Sequence, residues 1–379
     1  MTQNTAKQTR LVAGCMTGTS IDGIDAALVK IEGNGLSLKA VFVQGICEPL
    51  GDIAKPLRKL SLQQSMTAGQ IAKTAHDFAI LHLEVIRKLT GKQSLDLAAI
   101  HGQTVFHQPP LSWQLINPAP IAYGLSVPVV YDLRAADLAM GGQGAPITPL
   151  ADFILFRSET EQRCIVNLGG FCNITILPAS AVALASSSAD SNNAAGTAAL
   201  HIEGKDVCSC NQLLDRISGA FFQQSYDENG KHAAQGSIQA EPFEELICLL
   251  NEQATNQRSL GTGDELQKWL DEYRDRYTAK DIARTACAAI AETIGRNCKP
   301  ADRLIIAGGG VRNKTLWKEI VSRAVVPIEM TDSYGVPSQY REAVAIAILG
   351  ALCQDRIPIT FAQVTGVEDP PISGSWVIP

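Results

Sequence analysis

The chain has 379 residues, with 32 Lys and Arg against 38 Asp and Glu, which gives a formal net charge of −6. This balance and the lack of a basic block argue against a nucleic-acid partner, because nucleic-acid backbones are bound mainly by Lys and Arg. No apolar run approaches the roughly 18 residues of a membrane span. The N-terminus, MTQNTAKQTR, lacks the apolar stretch of a signal peptide. Ten irregularly placed cysteines then predict reduced thiols and a cytoplasmic protein with no membrane partner.

The first third of the chain alternates strand-like runs with one long helical pattern. The runs are Leu11 to Ala13, Ala26 to Ile31, Ala40 to Gln44, Leu97 to Ile100 and Val127 to Tyr131. From Ala68 to Leu89, apolar residues recur on one helical face. This alternation predicts an α/β lobe.

The segment Gly14 to Ile31 places a turn of small and acidic residues between two of these runs. Within nine positions it holds five Gly, Ser or Thr residues and two aspartates. Gly14, Gly18 and Gly23 are expected to allow positive φ, so that amide groups converge on a phosphate. The predicted nucleotide-binding residues are Gly18, Thr19, Ser20, Ile21, Asp22, Gly23, Ile24 and Asp25. Asp22 and Asp25 offer carboxylates to Mg²⁺, directly or through water, and Asp22 is the predicted metal ligand. A β-hairpin with a plain glycine turn is the alternative.

A second segment, Arg163 to Leu177, has the same form, with a small turn at Asn167, Gly169 and Gly170 between two apolar strands. The repetition indicates an internal duplication. A hairpin turn of this composition in each half predicts two related phosphate-binding loops.

A third cluster, Gly308, Gly309 and Gly310, follows a hydrophobic strand and precedes an amphipathic helix, which is a usual place for a nucleotide. The cluster is not GxGxxG, and only Glu329, near the spacing of a ribose-binding carboxylate, supports a dinucleotide fold. Two hairpin loops and a late glycine turn instead predict the duplicated, two-lobed α/β architecture of actin, hexokinase and Hsp70, which is ribonuclease H-like with a central nucleotide cleft.

The second lobe is predicted to contain helices around Asn211 to Phe222 and from Asp281 to Gly295, and to end in a helix from Arg341 to Cys353. The first lobe is predicted to comprise residues 1–134 and 345–379, and the second residues 135–344. Residues 178–200 are rich in Ala, Ser and Asn and predict a hairpin insertion.

Long segments of the chain resemble the 1,6-anhydro-N-acetylmuramic acid kinases of bacterial cell-wall recycling. The matching segments are GCMTGTSIDGIDAALV, HGQTVFHQP, VVYDLRAADLAMGGQGAPITPLAD, VNLGGFCNIT, YDENGKHAAQG, AGGGVRN and REAVAIA. They occur in the family's order and cover most of the chain.

The resemblance implies an ATP- and Mg²⁺-dependent kinase, forming a homodimer, that acts on a small anhydro-sugar. Water attacks the anomeric carbon, the 1,6-anhydro bridge opens, and O6 takes the γ-phosphoryl group, giving N-acetylmuramic acid 6-phosphate. Residues carried over from the family's motifs are Asp206 as general base, and Glu342 and Arg134 as substrate-binding residues. An arginine fork suits the lactyl carboxylate of a muramic sugar.

The segment around the base departs from the family, because GFDTGPGN has become GKDVCSCN at Gly204 to Asn211. RSLGTGDE, at Arg258 to Glu265, and Ile116 depart as well. These changes keep two alternatives open: a catalytically impaired protein that binds nucleotide or sugar, and a kinase for a different anhydro-sugar.

Each site residue also has a structural interpretation. Asp206 alone would more often be a surface aspartate, and Glu342 opens a helix, where a carboxylate is favoured by the helix dipole. Arg134 could pair with Asp132 or Asp137. Cys208 and Cys210 form CxC without a matching Cys or His pair, which favours packing over metal binding, and His101 and His107 are expected to be structural or sugar-facing.

Overall fold

The computed structural model describes residues 9–179, 201–255 and 264–379. Within this part the chain forms two compact units. The first comprises the described residues of Met1–Glu159, Pro178–Glu203 and Tyr334–Pro379. The second comprises those of Thr160–Leu177 and Gly204–Ser333. Most of the predicted hairpin insertion, residues 180–200, lies outside the described residues.

The strands that the sequence patterns predicted are present, and further strands that were not predicted occur beside them. In chain order they are β1 Thr9–Met16, β2 Gly23–Glu32, β3 Lys39–Pro49, β4 Leu97–Ile100, β5 Gln103–Gln108, β6 Leu111–Leu115, β7 Val129–Tyr131, β8 Arg163–Leu168, β9 Phe171–Leu177, β10 Glu203–Ser209, β11 Arg303–Ala307, β12 Ile328–Met330 and β13 Ser375–Val377.

The four predicted helices and the amphipathic helix after Gly310 are present, together with helices that the sequence patterns did not indicate. They are α1 Ala54–Ser61, α2 Ala68–Thr90, α3 Ala119–Leu125, α4 Ala135–Ala139, α5 Pro149–Phe156, α6 Asn211–Phe222, α7 Ala240–Thr255, α8 Asp264–Tyr273, α9 Ala279–Asn297, α10 Lys314–Arg323, α11 Arg341–Gln354 and α12 Ala362–Thr365. The long helix α2 begins at a capping box between Thr67 and Gln70 and ends at Gly91, whose φ is 58°.

The first unit is built on a six-stranded sheet in the order β13-β7-β4-β1-β2-β3. β1, β2 and β3 form an antiparallel meander, whereas β4 and β7 run parallel to β1. Fully buried Ile24, Leu28 and Phe78 belong to the apolar core between this sheet and α2. β5 and β6 form a separate antiparallel hairpin.

The second unit is built on a five-stranded sheet in the order β10-β9-β8-β11-β12. β8 and β9 are antiparallel, and β11 and β12 run parallel to β8. Its core is centred on α9, and it includes Trp269 and Tyr273, each 1% exposed. Thr278 caps α9 by accepting the amide of Asp281 at 3.2 Å.

The two sheets share one topology. Numbered within each unit, the strand order is 3-2-1-4-5 in both, apart from the added β13, with the first two strands antiparallel and the last two parallel to the first. The predicted duplication and the predicted ribonuclease H-like α/β fold are therefore confirmed.

The units divide at Glu159 and Tyr334 rather than at the predicted residues 134 and 345. The difference has a physical origin, because α5 packs within the first unit against the start of α11, where Asp152 binds Arg341. Among the described helices, none combines the length and the apolar character that crossing a bilayer requires.

Candidate active site

Three segments of the first unit meet at one edge of its sheet. β1, β4 and β7 are parallel neighbours, with Cys15 beside Ile100 and Ile100 beside Tyr131. Ligands of open α/β sheets bind beyond the carboxyl ends of such strands. The segments that follow are the predicted phosphate turn, the HGQ segment and the loop that carries Arg134.

The turn between β1 and β2 is tight and presents its polar side chains outward. Thr19, Ser20 and Asp22 are exposed, and the Ser20 hydroxyl donates to Asp22 Oδ1 at 2.8 Å. The amide of Ile21 donates to the Gly18 carbonyl at 3.2 Å, and Ile21 has the positive φ of this turn, 51°. The expectation that Gly14, Gly18 and Gly23 supply positive φ is wrong, since none of the three adopts it.

Two of these glycines are required for close packing instead. A Cβ on Gly14 would lie 2.1 Å from the carbonyl oxygen of Ala343 in α11, and one on Gly23 would lie 3.0 Å from the carbonyl oxygen of Glu48 in β3. Neither neighbour is a flexible side chain. Gly14 therefore allows the backbone of α11 to approach β1 closely, and Gly23 allows β3 to approach β2.

Two side chains that the sequence analysis did not single out support the turn. Arg58, in α1, donates to the Ile21 carbonyl at 2.9 Å. Gln103 is fully buried and donates from Nε2 to the carbonyls of Thr104, at 3.2 Å, and Gly18, at 3.4 Å. Thr17 Oγ1 and Gln103 Oε1 are buried without a hydrogen-bond partner among the described residues. Such atoms are expected to find a partner when a ligand binds.

Arg134 lies at the N-terminus of α4 and contacts His101. Its Nη2 and Nε lie 3.0 and 3.3 Å from His101 Nε2, and its Nη1 donates to the Gly144 carbonyl at 2.6 Å. Asp137, one of the two partners considered for this arginine, accepts the amide of Gly144 at 2.8 Å and the hydroxyl of Thr365 at 2.7 Å.

His101 and His107 are held neutral. Burial, and secondly the charge of Arg134, lowers the pKa of His101 to about 3 and that of His107 to about 4. His101 Nδ1 lies 2.9 Å from the Gly102 carbonyl, an acceptor. The proton is therefore on Nδ1, and Nε2 accepts from Arg134.

Glu342 lies in the first turn of α11. Burial raises the pKa of its carboxyl above the usual range, and the charges of Asp25 and Asp152 add to that shift, whereas Arg341 and Arg134 oppose it. Asp25 accepts from Gln339 at 3.1 Å. The first unit thus brings Arg134, Glu342 and Asp25 of the predicted set into one electrostatic neighbourhood.

The Gly308 turn belongs to the second unit and follows β11. Gly308 has a φ of 89°, and a Cβ there would lie 2.7 Å from the Leu168 carbonyl and 2.8 Å from Asn167 Oδ1. Gly309 has open space where its Cβ would be. The turn leads into α10, which Asn313 caps by accepting the amides of Thr315 and Leu316. Asn167 Oδ1, which lies next to this turn, is buried without a hydrogen-bond partner among the described residues.

Asp206 lies on β10, in the second unit, and is partly buried. The diverged GKDVCS segment forms this strand, and Lys205 donates to Asn297 Oδ1 at 3.0 Å. The first amides of α6 are occupied: those of Cys210 and Gln212 donate to the Gly170 carbonyl, at 2.9 and 3.1 Å. The carbonyls of the Gly169–Gly170 turn therefore cap the N-terminus of α6.

The remaining candidates have structural roles. Burial raises the pKa of Cys208 to about 12 and that of Cys210 as well, which makes both thiols inert. In the part of the chain that the structure describes, no three His, Cys, Asp or Glu side chains are grouped to hold a metal. Glu329 is paired with Arg303 at 2.8 Å, which removes the support for a ribose-binding carboxylate.

The comparisons with known proteins agree along nearly the whole chain. A family model described as anhydro-N-acetylmuramic acid kinase matches residues 10–378. The anhydro-N-acetylmuramic acid kinase of Salinibacter ruber is 29% identical over 403 residues, covering 98% of this chain and 96% of that protein. That of Bacillus cereus strain Q1 is 30% identical over 396 residues, covering 97% and 99%.

Among solved structures, the activator of the 2-hydroxyisocaproyl-CoA dehydratase from Clostridium difficile, with bound ADPNP, aligns at 11% identity and a TM-score of 0.43. It covers 90% of this chain and 94% of that chain. At this TM-score the structural likeness carries no argument about the fold. The fold assignment rests on the strand orders of the two sheets.

Proposed function

The chain belongs to the anhydro-N-acetylmuramic acid kinase family, and from that membership we propose how its residues carry out the reaction. It is a phosphotransferase that uses ATP to open the 1,6-anhydro bridge of 1,6-anhydro-N-acetylmuramic acid and to phosphorylate O6. The role given to each residue is our proposal. The match of the family model over residues 10–378 is the observation that supports the function.

The nucleotide phosphates are assigned to two turns, Gly18–Asp25 and Gly308–Gly310. Support comes from the exposed hydroxyls of Thr19 and Ser20, and from the open space at Gly309, where a ligand can approach the backbone. The buried Oγ1 of Thr17, which has no hydrogen-bond partner in the described part of the chain, favours the same assignment for the first turn.

Mg²⁺ is assigned to Asp22. Its exposed carboxylate, next to the hydroxyl of Ser20, offers the hard oxygen ligands that this cation prefers. Mg²⁺ bound to ATP usually takes only one or two protein carboxylates, which fits a single aspartate. When bound, the cation would neutralise charge on the phosphates. The Asp22→Asn variant should raise the Mg²⁺ concentration needed for half-maximal turnover, and an unchanged requirement would remove this assignment.

The sugar is assigned to Arg134 and Glu342. The guanidinium of Arg134 suits the lactyl carboxylate, with which it can form two parallel hydrogen bonds. Burial raises the pKa of the Glu342 carboxyl, and this carboxyl can accept a hydrogen bond from a sugar hydroxyl. A carboxylate-bearing substrate close to Asp25 and Glu342 also needs the positive charge of Arg134 for balance.

Asp206 is assigned as the general base. It takes a proton from the water whose oxygen attacks C1, the bond between C1 and O6 breaks, and O6 accepts the γ-phosphoryl group of ATP. A positioned base of this kind typically contributes about 10²- to 10⁴-fold. Orientation of the reactants and charge neutralisation would supply most of the remaining acceleration.

A coupled assay of ADP release with 1,6-anhydro-N-acetylmuramic acid, with the product identified by mass, tests the function. We expect one ADP per N-acetylmuramic acid 6-phosphate. ADP release without a phosphorylated sugar, or a product that retains the anhydro bridge, would contradict it. We further propose that the protein acts in the cytoplasm. We also propose that it forms a homodimer, and sedimentation of the purified protein checks this oligomeric state.

A further inference from the structure

We infer that His101 is a positioning residue, which holds the guanidinium of Arg134 and thereby sets the preference for a sugar that carries a carboxylate. The inference rests on the proposed role of Arg134 in binding that carboxylate.

The first support is the convergence of two donors on one acceptor. Nε and Nη2 of Arg134 lie 3.3 and 3.0 Å from the same atom, His101 Nε2. Two contacts along one side of the planar guanidinium fix its rotation as well as its position. A single hydrogen bond would fix only a distance.

The second support is that the acceptor itself cannot turn. His101 is 3% exposed, and its Nδ1 lies 2.9 Å from the Gly102 carbonyl. That carbonyl keeps the proton on Nδ1 and leaves the lone pair of Nε2 directed at Arg134. Rotation of the ring would break both contacts.

A third contact holds the opposite end of the guanidinium. Arg134 Nη1 donates to the Gly144 carbonyl at 2.6 Å, and the amide of Gly144 donates to Asp137 Oδ2 at 2.8 Å. Asp137 is itself fully buried and accepts from Thr365. The loop that provides the third contact is therefore anchored.

The chemistry of these two acceptors matters for specificity. An imidazole nitrogen and a carbonyl oxygen carry no net charge, so these two contacts orient the guanidinium and do not themselves neutralise it. The fixed plane suits the two oxygens of a carboxylate. A sugar without the lactyl group gains nothing from this arrangement.

The test compares the affinities of two sugars, 1,6-anhydro-N-acetylmuramic acid and 1,6-anhydro-N-acetylglucosamine, by titration calorimetry. His101→Leu removes the acceptor, and we expect it to weaken binding of the carboxylate-bearing sugar about tenfold or more. Binding of the second sugar should change little. His101→Gln, whose side-chain oxygen can replace Nε2 as acceptor, should recover most of the preference. His82→Gln, a buried histidine elsewhere in the first unit, is the matched control.

The outcomes separate the inference from the proposed function. If Arg134→Ala abolishes the preference for the carboxylate-bearing sugar but His101→Leu leaves it intact, the inference is overturned and the proposed role of Arg134 stands. Equal weakening of both sugars by His101→Leu also overturns it. A preference that survives Arg134→Ala overturns the role of Arg134 itself. Should His101→Leu fail to fold, ¹⁵N NMR of the wild-type imidazole decides, since a proton on Nε2 is incompatible with the inference.

Discussion

Arg341 and Asp152 form an ion pair inside the first unit, with Arg341 Nε donating to Asp152 Oδ1 at 2.9 Å and the side chains only 1% and 0% exposed. The pair joins the first residue of α11 to α5 across 189 positions of sequence. Because α11 also carries Glu342, this pair fixes the helix end on which a proposed substrate residue lies.

Asp152→Asn should destabilise the protein strongly. Removal of one partner leaves the Arg341 charge buried without compensation, which typically costs about 3–5 kcal/mol. Chemical denaturation measures the loss. Asp77→Asn is the control, because its pair with Lys73 is largely exposed and should contribute under about 1 kcal/mol. Equal effects of the two variants would contradict the structural weight given to the buried pair.

His82 should make stability fall in mild acid. Burial lowers its pKa from 6.5 to about 4, and its Nε2 has no partner among the described residues to receive an added proton. In the unfolded chain His82 takes up a proton below about pH 6.5, whereas in the folded protein it stays neutral until about pH 4. The contribution of neutral His82 to stability is therefore complete above about pH 6.5 and is lost as the pH falls toward 4.

His82→Gln should therefore flatten the dependence of unfolding free energy on pH by up to about 1.4 kcal/mol per pH unit in this window. Denaturant titrations at pH 7 and pH 5 measure the slope. His76→Gln, at an exposed position of the same helix α2, should leave the slope unaltered. If the His82→Gln variant and the wild type show the same slope, the His82 ring is protonated in the folded state over this pH range.

Gly309→Ala should separate nucleotide binding from folding. A methyl group there meets no atom of the described residues within 4 Å and the backbone φ is ordinary, so stability should change by under about 0.5 kcal/mol. A bound nucleotide would contact that methyl group and be displaced slightly, so KM for ATP should rise about tenfold or more. Gly295→Ala, equally open but on α9, should leave KM for ATP unaltered. An unchanged KM for ATP in both variants would show that the nucleotide does not bind at this turn.

Asp206→Asn should lower turnover by at least about 10²-fold while fold and ATP binding persist, as expected for the loss of a general base. Glu203→Gln replaces an exposed carboxylate on the same strand and should retain wild-type turnover. Near wild-type activity of the Asp206 variant would transfer the role of base to another carboxylate, with Asp22 and Glu342 as the next candidates.

Local patterns predicted part of the fold, whereas elements such as β5, β6, β10 and α5 were not predicted. The hairpin of β1 and β2, the long helix α2 and the helix α11 all follow from apolar periodicity and small turn residues, and each is confirmed. Such signals act over a few residues, so they do not depend on knowing the tertiary structure.

Contacts between distant positions were not predictable in the same way. For Arg134 the only structural partners considered were the nearby Asp132 and Asp137, yet it contacts His101, 33 positions earlier. Gly14 was interpreted as a flexible turn residue, yet its role is to admit α11. In both cases the partner is chosen by the packing of strands and helices that are remote in sequence, which no local pattern encodes.

The place of α11 in the chain has a consequence for synthesis. The helix that packs on Gly14 of β1 and on Ala99 of β4 belongs to residues 341–354, whereas every residue of the second unit lies between Thr160 and Ser333. On the ribosome, which delivers residues in order, the second unit is complete while the central strands of the first still expose the apolar face that awaits α11. The half of the protein that is translated first is therefore expected to be the last to fold, and Arg134 reaches its final surroundings only after almost the whole chain has emerged.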